Sequence, residues 1–85
     1  MEADGVKAQV NIAIDLAERV QSVQLMYQQA MRDLQGAVML LDLTNSNADS
    51  RSSMRMVPLI ANDLSEDMEI TGQVKSNLQD WYNRL

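Results

Sequence analysis

The chain contains no cysteine and no histidine. Without cysteine there is no disulfide framework, so packing or association must stabilise so small a fold. Without histidine the usual zinc ligand sets, the Ser–His–Asp and Cys–His nucleophile pairs and the histidine pH switch all fall away. Cations are sparse: seven Lys and Arg stand singly against twelve Asp and Glu, for a net charge of −5. No basic stripe follows a phosphate backbone, which argues against direct nucleic-acid binding. Long apolar runs are missing too. The longest, residues 37–43, spans seven positions broken by Asp42, and a bilayer crossing takes about 20. The opening residues Met1 to Gly5 are acidic and carry no apolar core, unlike a signal peptide. A soluble, cytoplasmic protein is expected, export without a cleaved signal remaining compatible.

Among 85 residues, 46% are hydrophobic, enough for a folded chain and too many for a disordered one. That length allows one domain at most. Apolar residues recur at three- and four-residue steps from Val6 to Leu43. One column, named a, holds Ala3, Val10, Ala17, Gln24, Met31 and Val38; column d holds Val6, Ala13, Val20, Tyr27, Leu34 and Leu41. Only Gln24 is plainly polar, so the period of a long helix persists for about six heptads. Column g (Gln9, Leu16, Val23, Ala30, Ala37) widens the stripe, and column c adds Ile12, Met26 and Leu40 between Arg19 and Asp33. Around a helix these columns lie in the order c, g, d, a and cover about half the circumference. The remaining side is wet, with Lys7, Gln21, Gln28 and Gln35 on column e. A stripe this wide exceeds what one helical partner covers. Met39 and Leu43 extend the apolar character to columns that are polar upstream.

After Leu43 the text turns polar and short-chained, from Thr44 to Ser53, which reads as a connection. Asn45, Asn47 and Asp49 alternate as in a calcium loop, but the positions that require Gly and a bidentate Glu hold Ser50 and Met56. A capped helix–helix turn is the expected reading, with Ser52 or Ser53 as the cap. The helical period resumes at Met54 and runs through Val57, Ile60, Leu64, Asp67, Thr71, Val74, Leu78, Trp81 and Leu85, widened by Met54, Ala61, Met68 and Tyr82. Pro58 places the start of regular helix within a turn before it. Asp63 and Glu66 form a second capping signal, so a break near Asn62 would divide the arm. The acids Asp63, Glu66, Asp67 and Glu69 read as a solvated face. The Met residues read as flexible core filler, or as an adaptable partner surface.

The expected fold is all-α: an antiparallel helical hairpin with arms near residues 5–44 and 53–84, a connection at 45–52, and association into a larger bundle. Leu34, in the central column, is expected in the hairpin core. Ile12, Leu16, Val23, Met26, Ala30, Ala37, Met39, Leu40 and Leu43 are the expected partner-binding residues. No catalytic, cofactor or metal site is expected. Three functions compete. The first is a self-associating structural or assembly subunit. The second is a small adaptor or chaperone, as of secretion or phage assembly, holding a partner's amphipathic helix. The third is an acidic mimic of nucleic acid.

Overall fold

The computed structural model describes residues 2–85, with side chains from residue 4 onward; Ala3, the first member of column a, lies outside the described side chains. Two helices account for nearly all of it: α1 (Glu2–Thr44) and α2 (Ala48–Arg84), packed antiparallel as an extended hairpin. It measures 66 × 15 × 14 Å, the long dimension being what 43 residues at about 1.5 Å each require. No described helix is long and apolar enough to cross a membrane. α1 starts ahead of Gly5, so Asp4 lies inside its first turn.

The turn is tighter than the polar composition suggests. Only Asn45, Ser46 and Asn47 separate the helices, and the cap is Asn47, not Ser52 or Ser53. Its backbone is extended (φ −147°, ψ −177°), its Oδ1 accepts from the Ser50 amide at 2.8 Å, and Ser50 Oγ accepts in return from the Asn47 amide at 3.0 Å. With both ends of the box closed, Ser and Asp residues that favour loops elsewhere enter the first turn of α2. Asp42, near the C-terminus of α1 where the dipole disfavours an acid, accepts from Ser50 Oγ at 2.7 Å and from Ser46 Oγ at 3.1 Å. These bonds staple the turn to both helices. Asn47→Ala should lower stability by about 1 kcal/mol in a urea titration, while Ser52→Ala should leave it unchanged. Equal losses would place the cap elsewhere.

α2 runs unbroken past Pro58 and Asn62. The expected break near Asn62 does not form, because Leu64 two residues on is buried with Met31 and Val57 in the core, flanked by Val38 and Met68. A break would pull Leu64 out of that contact. Pro58 withholds the amide that Met54's carbonyl would otherwise accept from. Both residues are exposed, which lowers the cost of the missing hydrogen bond, and burial of Val57 holds the helix together. Pro58→Ala should therefore restore a hydrogen bond and stabilise the hairpin by about 2 kcal/mol, part of the gain being offset by the freer unfolded chain. A lower melting temperature would show the proline conformation to be required.

Candidate functional site

The contact between the helices is not the d-centred seam that the apolar pattern suggests. The residues of α1 that α2 covers are Val10, Ala17, Gln24, Met31 and Val38 from column a, together with Lys7, Ile14, Gln21 and Gln28 from the wet column e and, from column d, the small Ala13. α2 answers with Val57, Leu64, Thr71 and Leu78, and with Ala61, Met68, Lys75 and Tyr82. The middle of the seam is polar. Gln24 Nε2 donates to Thr71 Oγ1 at 2.8 Å, and Thr71 Oγ1 donates to the Asp67 carbonyl at 2.8 Å. Lys75 Nζ donates to Gln21 Oε1 at 3.4 Å and lies 3.6 Å from Glu18. Near the chain ends Lys7 stands 5.1 Å from the centre of the Tyr82 ring. Paired polar groups at matching heights set the register and select the face, much as one polar core residue does in a coiled coil. Apolar counting along α1 alone could not find this seam. The signal was the match of Gln21 with Lys75 and of Gln24 with Thr71 across the hairpin.

Turning the seam toward a and e leaves the larger residues of column d outside it. Leu34, expected in the core, is 44% exposed, and Val20, Tyr27 and Leu41 are open as well. The centre of the d, g and c columns lies roughly 130° round α1 from the seam. On α2 the equivalent flank is Ile60, Val74 and Trp81, with Met56 and Ile70 behind it; all are exposed. Both helices are right-handed and they run in opposite directions, so these flanks lie on the same side of the hairpin. One long side is thus apolar and open, and the other carries the Lys75–Glu18 and Lys7–Tyr82 contacts.

All nine expected partner-binding residues are exposed. Ile12, Leu16, Val23, Met26, Ala30, Ala37 and Leu40 share the open face. Met39 does not: it borders Gln35, Met54 and Val57 on the opposite side. Leu43, 78% exposed, falls in the polar column of Asp15, Ser22, Gln29 and Gly36. The open face deepens near the chain ends into a groove of about 540 Å³, where Val6, Gln9 and Ala13 of α1 meet Leu78 and Trp81 of α2. At the turn end Leu40 and Leu41, both 62% exposed, continue the face, and Leu41 also borders a smaller hollow with Val38, Asn45 and Ser53. Among the described residues no group of three His, Cys, Asp or Glu is placed to hold a metal ion.

Comparison with known protein families, with curated proteins and with solved structures finds no match for this chain.

Proposed function

We propose that the chain is a non-enzymatic interaction module, a structural or assembly subunit whose open face is covered by a second copy of itself. The supporting observation is surface area. The hairpin exposes 6458 Å², whereas a compact monomer of 9.6 kDa exposes about 5,100 Å². The excess, roughly 1,400 Å², falls within the 1,000–2,500 Å² per subunit typical of obligate homodimers. Along its open side α1 exposes Leu16, Val20, Val23, Met26, Tyr27 and Leu34, and contiguous exposed apolar patches mark binding surfaces. Stacking two hairpins face to face makes a four-helix bundle, the arrangement that lets each helix cover a stripe wider than one neighbour can.

Sedimentation equilibrium from low to high micromolar concentration, with circular dichroism on the same samples, tests this directly. A helical dimer is the expected result. A fully helical monomer at high micromolar concentration would overturn self-association. A chain that becomes helical only when an amphipathic helix from another protein is added would make the face an adaptor groove.

A further inference from the structure

The open face carries its own complement when a second copy is laid across it in the opposite direction. Column c of α1 reads Ile12, Arg19, Met26, Asp33, Leu40: apolar, cation, apolar, anion, apolar. Reversed about Met26, each member meets its match, with Arg19 of one copy facing Asp33 of the other and Ile12 facing Leu40. In an antiparallel helix pair such flanking columns do run beside themselves, so this pairing is sterically natural. The same alignment fixes the layers beneath it. Leu16 falls against Leu34 of the second copy, Val20 against Ala30, and Gln9 against Leu41.

That last layer is an independent observation. Gln9 lines the groove at the chain ends, so the register chosen by charge also brings the exposed Leu41 of one copy against the groove of the other. A parallel copy does neither. It leaves Arg19 and Asp33 roughly 21 Å apart along the axis and sets the chain-end groove against its own copy.

We infer that two copies dock antiparallel through α1, about a two-fold axis beside Met26, with Arg19 paired to Asp33 and Leu41 seated in the Val6–Trp81 groove. This rests on the self-association proposed above, and the measurements separate the two. The chain's lack of cysteine lets single spin labels be placed at will. Ala8→Cys and Ser22→Cys put them on exposed positions bordering the docked face. In the antiparallel dimer the two labels at position 8 are separated by roughly 50 Å along the axis, and those at position 22 by roughly 12 Å. The position-8 distance should exceed the position-22 distance by more than about 20 Å. In a parallel dimer the two distances agree.

Arg19→Asp and Asp33→Arg should each weaken dimerisation about tenfold, since symmetry turns two rim attractions into two repulsions. Combined, the two substitutions should restore the parent dissociation constant. A dimer whose two label distances agree overturns the antiparallel docking while leaving self-association intact. A double variant that stays weak overturns the Arg19–Asp33 register. A parent chain that sediments as a monomer at every concentration overturns both this docking and the reading beneath it.

Discussion

Leu34→Asp should sediment as a monomer at concentrations where the parent chain is a dimer, with its helical circular dichroism retained. Leu34 is half-exposed in the hairpin, so a carboxylate there stays in water as long as the chain is alone. Once a second copy covers the face, the same carboxylate is buried without a partner, at a cost of several kcal/mol. Two-fold symmetry buries it twice. Each 1.4 kcal/mol is a factor of ten, so the dissociation constant should rise by at least a thousandfold. Leu40→Asp, at the outer edge of the face, should weaken association in the same sense and by less. The pattern of apolar columns alone predicts the opposite for Leu34: a core residue whose replacement unfolds the hairpin. Loss of helix at Leu34→Asp together with loss of mass would mean the hairpin does not stand without its partner. A variant that still dimerises would remove Leu34 from the interface.

Leu64→Asp should abolish the fold outright. Leu64 is 8% exposed and packs with Met31 and Val57 in the cluster that joins the helices. Truncating such a leucine costs about 2–5 kcal/mol, and the buried carboxylate adds several more. A small domain with a net stability near the bottom of the 5–15 kcal/mol range cannot absorb that. Far-ultraviolet circular dichroism at low micromolar concentration should show most helix lost, and Leu64→Ala should show a large fall in melting temperature. Leu64→Asp melting like the parent chain would mean that the Met31–Val57–Leu64 cluster does not hold the hairpin together. The contrast between positions 34 and 64 is the sharpest test of which face of α1 meets α2.

Two helices and their antiparallel pairing follow from the three-four spacing of Val6 to Leu43 and Val57 to Leu85, interrupted once by residues that favour turns, although α2 starts at Ala48, ahead of the expected arm. These are local properties, and local periodicity reports them. The exposed positions among Ile12, Leu16, Val23, Met26, Ala30, Ala37 and Leu40 were legible for the same reason, since a stripe this wide cannot be covered by one neighbour. The cap at Asn47 was harder to see, because an Asn followed three residues later by Ser is a weaker signal than the serines that surround it.

What only the tertiary structure decided is which side of α1 faces α2. A wide apolar stripe offers several seams of similar hydrophobic gain, and that gain is non-directional. The choice therefore passed to interactions that do have direction. Gln24 finds Thr71, and Lys75 finds Gln21 and Glu18; those partners lie 47 and more positions away in the chain. Polar side chains on one helix carry no mark of their distant partners, and until the helices are laid side by side Gln21 and Gln28 read as surface. Once the polar match turned the seam toward them, Leu34 and its neighbours were left in the open.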